Sequence, residues 1–404
     1  MRTFKNNISL TLILAIVFIH FTPVSILGFP LTLAPFAILL FFLTHFKLSI
    51  RRKGIYLCMV LIMTPIIIYV AFTMSGVWVE FSKFITTYLL WVYAVLCMVL
   101  FLFGRLKMPS DYSKEFTTAL LIVVLFSAAQ VLFIKLLGSH LLYEPFGDFS
   151  YMGGVGINNL VLSHVTRSPG LFLEPSFNAL IMFFLVSVVL MKNPRIKGNI
   201  MILVLSGIGV LITTSLIGVL SILGLIYFLS LSLMVKKNKV LPYVVVFLSI
   251  LLAFLILTVY SFDLGRFGEI NIEGTSGYWR LIAPFVIISE VLFQHPLGVP
   301  FGHMQDFIVP LGLFHGNSVG STLDNGMFVL FFYFSWFGVF FVLWMLYMFA
   351  KAIYRGNTPD VILWWFVIFS LQFSGGIFLP EYLFILLLVV FFNRNFARLE
   401  FNRS

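Results

Sequence analysis

Three arginines, Arg167, Arg266 and Arg280, stand in stretches rich in acids, histidines and glycines, and they are the residues of this chain best suited to hold an anion. An arginine offers a fixed fork of donors that meets phosphate or carboxylate oxygens two at a time, and it stays charged at any working pH. Around them lie Glu144, Asp148, Glu174, Asp263, Glu269, Glu273, Glu290, Asp306 and Asp324, nine of the fifteen acids. His140, His164, His295, His303 and His315, five of the seven histidines, lie there too. Such a gathering favours chemistry between a held anion and a nearby carboxylate or imidazole. Each arginine alone is explained equally well by an ion pair, Arg266 above all, with Asp263 and Glu269 close by.

Other chemistries lack their residues. There is no Gly-x-x-x-x-Gly-Lys loop, His-Glu-x-x-His, Cys-x-x-Cys or Asp-x-Asp pair, which argues against a nucleotide-driven pump. The spacing of His295, His303, Asp306 and His315 fits no metal site, and neither metal nor cofactor is expected. Cys58 and Cys97 sit in apolar runs as small hydrophobes.

The elements that must position these residues are membrane helices. With 61% hydrophobic and 10% charged residues in 404, most of the chain has lipid as its solvent. A crossing needs roughly 20 apolar residues. Such windows lie near 8–27, 29–46, 55–73, 84–104, 117–138, 177–191, 199–213, 216–235, 241–261, 326–350, 358–375 and 381–393. The expected fold is therefore all-α, a single polytopic membrane domain over 1–404 with about twelve transmembrane helices. Thr213, Thr214 and Ser215 separate two short helices rather than interrupting one long one.

Basic residues fall into alternate gaps. Arg2 and Lys5, the 47–53 and 105–114 gaps, Lys192 to Lys197, Lys236 to Lys239, Lys351 with Arg355, and Arg394 to Arg403 hold 20 of the 25 Lys and Arg. The positive-inside rule places these gaps, and both termini, in the cytoplasm. The net charge of +10 then faces anionic lipid, and nucleic acid is not expected as a partner. Lys135, within a turn of a span's end, can snorkel. Few ionisable groups lie at mid-span, which counts against an ion-coupled transporter.

Two gaps on the opposite face are long, residues 139–176 and 262–325, and they hold the arginines, acids and histidines named above. Exported arginines run against the charge bias, so a task is the natural reason for keeping them. Within the second gap, a run from Leu281 to Phe293 is too short to span and carries Pro284 in its first turns. It reads as an interfacial helix, with Arg280 at its start facing lipid head groups. The alternative is that Trp279 and Arg280 only anchor that helix at the interface.

Three stretches carry a family likeness: Arg167-Ser-Pro-Gly-Leu-Phe-Leu-Glu174-Pro-Ser176; Glu273-Gly-Thr-Ser-Gly-Tyr-Trp-Arg280 with the later His295-Pro-Leu-Gly-Val-Pro-Phe-Gly302; and Gly320-Ser-Thr-Leu-Asp324-Asn325-Gly326 running into Tyr333-Phe-Ser-Trp-Phe337. With twelve spans and two long outer loops, the chain resembles the O-antigen polymerase and ligase superfamily of bacterial inner membranes, and within it the colanic acid polymerase type. The resemblance implies a metal-independent, inverting polymerase that joins oligosaccharide repeat units carried on undecaprenyl diphosphate at the periplasmic face. A chain-length regulator and export machinery are the implied protein partners. Arg167 and Arg280 would stabilise the departing lipid diphosphate, while Glu174 or Asp324 would accept the proton of the attacking hydroxyl. Arg266, Glu273, Tyr278, His315 and Asn325 are the candidate substrate contacts. Glu174 is equally well read as a partner that orients Arg167, and Asp324 as an N-terminal helix cap. Ligases of the superfamily place histidine before asparagine where this chain has Asp324-Asn325, which favours the polymerase. A ligase, and a flippase or exporter of the lipid-linked unit, are the alternatives.

Overall fold

The computed structural model describes residues 12–21, 24–26, 29–50, 52–77, 79–106, 113–137, 168, 170–172, 175–193, 199–242, 244–246, 248–249, 272–316 and 318–401. The architecture is all-α. The described helices are α1 (Ala34–His45), α2 (Arg52–Met74), α3 (Phe81–Phe103), α4 (Ser113–Leu137), α5 (Pro175–Lys192), α6 (Ile200–Thr213) and α7 (Leu216–Val235). They continue with α8 (Ser276–Leu281), α9 (Ala283–Gln294), α10 (Met304–Ile308), α11 (Gly326–Tyr354), α12 (Thr358–Ser370) and α13 (Pro380–Phe401). Six short strands form three antiparallel pairs: β1 (Val24–Ile26) with β2 (Phe29–Leu31), β3 (Phe46–Ile50) with β4 (Gly104–Leu106), and β5 (Phe314–His315) with β6 (Ser318–Val319).

Among the described residues, six helices are long and apolar enough to cross a membrane: α2, α3, α4, α5, α7 and α11. The expected spans at 199–213, 358–375 and 381–393 correspond to apolar helices shorter than that. Most of the expected span at 241–261 and most of the 139–176 gap lie outside the described residues. The predicted break between α6 and α7 is present. Thr214 takes a left-handed conformation (φ 49°), and the Ser215 hydroxyl accepts from the Gly218 N–H to cap α7. Pro284 sits in the first turn of α9, where its missing N–H costs nothing.

α5 is the axis of the bundle, with 94% of its residues buried. A helix apolar all round can be enclosed completely, and α5 is packed by α4, α6, α7, α12 and α13. The helices around it run between two distinct ends. At one end the β3–β4 ladder joins the end of α1 to the end of α3, Lys192 donates to the Ser113 hydroxyl at 3.0 Å, and Asn393 donates to Asp360 at 2.9 Å. Gly356 lies there against Lys236. The described residues of the basic gaps thus collect at one end. At the other end meet the start of α3, the 272–325 segment, and the starts of α11 and α13.

One element departs from expectation. The span expected at 326–350 breaks at Ser335, a buried residue with φ 46° and ψ −127° inside α11. Neither proline nor glycine stands at that position. The break is filled from outside: the Val299 N–H donates to the Phe332 carbonyl at 3.2 Å. Gly298 (φ 106°) lies so close that a Cβ there would fall 2.1 Å from the Tyr333 carbonyl oxygen. The His295–Gly302 stretch is therefore a wedge that takes up a backbone group the break would leave bare, as irregular backbone at membrane depth requires.

Candidate active site

α8 and the loop after it stitch the second and third sequence stretches together. Thr275 caps α8 through the Tyr278 N–H at 3.2 Å. The next residue, Trp279, is fully buried, its indole N–H donating to the Thr322 carbonyl at 3.0 Å. This is an inward-facing tryptophan and not an interfacial anchor. Its ring stacks on the imidazole of His315, centroids 4.9 Å apart and planes 7° from parallel. Gly320 passes so close that a Cβ would fall 2.0 Å from the indole, so only glycine fits. The Gly316 N–H donates to the Gly274 carbonyl at 2.7 Å, and the Glu273 carboxylate accepts from the Phe314 N–H at 3.3 Å.

The result is a small cluster with one face open. His315 Nε2 lies 3.6 Å from Asp324 Oδ2, an ion-pair distance, with the two side chains 35% and 30% exposed. Trp279 backs the imidazole, so its other face is the accessible one. Arg280, half-buried and next to Trp279 in α8, has a buried Nε with no hydrogen-bond partner. Among the described residues no ion pair or hydrogen bond engages its guanidinium. Tyr278 is half-buried beside it in sequence.

Asn325 is placed differently from its neighbour. It is 2% exposed; its Oδ1 accepts from the Met327 N–H at 3.0 Å, and its Nδ2 donates to Gln372 Oε1 at 2.6 Å. Asn325, and not Asp324, caps α11, which leaves the Asp324 carboxylate free to face His315.

A second group of charges clamps the same end of the bundle. His303 Nδ1 lies 2.8 Å from Asp306 Oδ2 and its Nε2 3.1 Å from the Glu80 carbonyl, while Lys83 bridges Glu80 and Asp306 at 3.5 and 3.4 Å. Burial alone would raise the Asp306 pKa, yet its bond to His303 and the nearby Lys83 charge hold it below the ordinary value. This group fixes α10 to the start of α3.

Arg167, Glu174 and Arg266 lie outside the described residues. Between the first two, however, Ser168 and Gly170 are held by a buried amide. Gln130 of α4 donates to the Gly170 carbonyl at 2.9 Å and accepts from the Gly170 N–H at 3.0 Å and the Ser168 hydroxyl at 2.6 Å. Asn178 adds bonds to Ser127 and to the Ser168 carbonyl at 2.8 and 3.3 Å. His20 packs against Phe172 and Phe177 on the other side. Gln130, Asn178, Gln372 and the buried Glu381, which accepts from the Thr32 hydroxyl, all escaped the sequence reading. The signal for them was a polar side chain inside an apolar run, whether or not it ionises.

The family profile described as WcaD colanic acid polymerase matches residues 7–395. The chain belongs to that family. An Escherichia coli (strain K12) protein named "Putative colanic acid polymerase" is 28% identical over 379 residues, covering 89% of each chain. No solved structure matches. The matched span takes in all three sequence stretches and the cluster around Trp279.

Proposed function

We propose that this chain polymerises an exopolysaccharide at the periplasmic face of the inner membrane, joining repeat units carried on undecaprenyl diphosphate. The reading includes a dozen crossings and cytoplasmic termini. Membership of the colanic acid polymerase family supports the reaction class. The observation that carries the site is Arg280, whose buried Nε has no partner among the described residues, one residue from the buried Trp279 that backs the His315–Asp324 pair.

In the proposed reaction a sugar hydroxyl of one lipid-linked unit attacks the anomeric carbon of the chain on another. A new C–O bond forms, the bond to the diphosphate breaks, and the lipid diphosphate leaves with the electron pair. Arg280, with Arg167, stabilises the charge that builds on that leaving group. His315, oriented by Asp324, receives the hydroxyl proton, with Glu174 as the other acid near this chemistry. Attack opposite the leaving group inverts the anomeric centre. Tyr278, Glu273 and Arg266 contact the sugars.

Deleting the reading frame from a cell that makes the polymer tests this. Single-repeat lipid-linked units should accumulate while long polymer disappears, seen on a glycan gel. Unchanged polymer length would refute the reading; long chains stranded on the carrier would identify a ligase instead.

A further inference from the structure

The turn joining α12 to α13 does more than reverse the chain. Gln372 accepts from Asn325 at 2.6 Å, and the Leu371 carbonyl accepts from the Gly326 N–H at 2.7 Å. A Cβ on Gly375 would fall 1.8 Å from the Leu323 carbonyl oxygen, and one on Gly326 would fall 2.2 Å from Ile377. Both chain neighbours of Asp324 are thus seated on this turn. Asn325 uses its remaining amide oxygen to cap α11, so one side chain sets the start of the helix and its attachment to Gln372. Phe373 stacks on Phe183 of α5 at 6.3 Å, and α5 begins with the residue that follows Glu174. The turn therefore supports the loop bearing Asp324 and the helix that follows the Arg167–Glu174 stretch.

We propose that Gln372 is a positioning residue for the polymerisation site, holding Asn325 so that Asp324 faces His315. This rests on the functional reading above. Without the Gln372 acceptor the Asn325 amide loses its tether, and the carboxylate it sets is free to turn from the imidazole. Gln372 touches neither substrate nor the reacting atoms; its effect runs entirely through Asn325 and Asp324.

The test uses the full chain reconstituted with one defined lipid-linked repeat unit, comparing Gln372→Leu, Gln372→Glu, Asp324→Asn and the double variant Gln372→Leu/Asp324→Asn. Gln372→Leu should lower kcat by about tenfold to a hundredfold with KM within about threefold of wild type, since misplacement by about 1 Å is that costly. Gln372→Glu keeps an acceptor oxygen and should restore most of kcat. The double variant should be no slower than Asp324→Asn, because residues acting as a unit are not additive. If Gln372→Leu fails to fold, Gln372→Asn, which draws the amide back by one methylene, carries the same expectation. A Gln372 variant at wild-type kcat, or losses that multiply in the double variant, would overturn the proposal. A wild-type protein that leaves the unit unextended, or Asp324→Asn at full rate, would instead remove the reading of the site on which it rests.

Discussion

Arg280 sits half-buried with no acid beside it among the described residues, a poor arrangement for an arginine whose work is structural. Partly desolvated arginines normally find a carboxylate or a carbonyl, because an unpaired charge away from water is expensive. A ligand that brings its own negative charge resolves the cost. Arg280→Ala should therefore lower kcat/KM for a lipid-linked repeat unit by at least about a hundredfold, and Arg280→Lys should recover only part, since a point charge replaces a bidentate fork. The purified, reconstituted protein with one defined unit gives the measurement, and equal activity of the alanine variant would remove Arg280 from the site. At this scale the sequence was readable in kind but not in detail. Arg280 stood out, yet the partner that holds the capping Asn325 is Gln372, forty-seven residues further on, and no local pattern contains that partner.

The elements were legible wherever length and apolarity decide them. α2, α3, α4, α5 and α7 fall within a few residues of the apolar windows, and the α6–α7 break follows from Thr213, Thr214 and Ser215, whose hydroxyls favour helix ends. The break in α11 was not legible, because Ser335 lies in an unbroken apolar run and the Gly298–Val299 wedge that packs against the break comes from a distant segment. A non-glycine residue so placed costs of order 1–3 kcal/mol and persists only when its surroundings over-determine it. Gly298→Ala should disturb that support on two counts, a positive φ and a Cβ driven into the Tyr333 carbonyl. We expect it to destabilise the protein by about 2 kcal/mol or more in thermal melts. Gly312→Ala, also at positive φ but with open space around it, should cost about 1 kcal/mol. Equal melting of the two would mean that the wedge bears no strain.

For the whole molecule, the sequence argument about sidedness acquires a geometry: the described parts of the basic gaps meet at one end and the cluster around Trp279 at the other. With Cys58 and Cys97 replaced, a cysteine at Gln305 should react with a membrane-impermeant maleimide in intact spheroplasts. One at Lys237 should react only after the membrane is opened. Reversed labelling would invert the topology and place the reaction in the cytoplasm. The enclosure of α5 reaches beyond the finished protein into its biogenesis. α5 leaves the ribosome before α12 and α13, which cover part of its surface, so the nascent helix must first stand in lipid with that surface bare. Because lipid tails are as apolar as its own side chains, nothing hurries it inward; enclosure waits for the last two helices and the close ring packing they bring. Until they arrive Phe183 of α5 lacks its contact with Phe373, and the loop bearing Asp324 lacks its seat on Gln372. A chain cut short before α12 would thus be inserted and apolar but unfinished, and the end bearing Asp324 would be assembled only with roughly the last fifty residues.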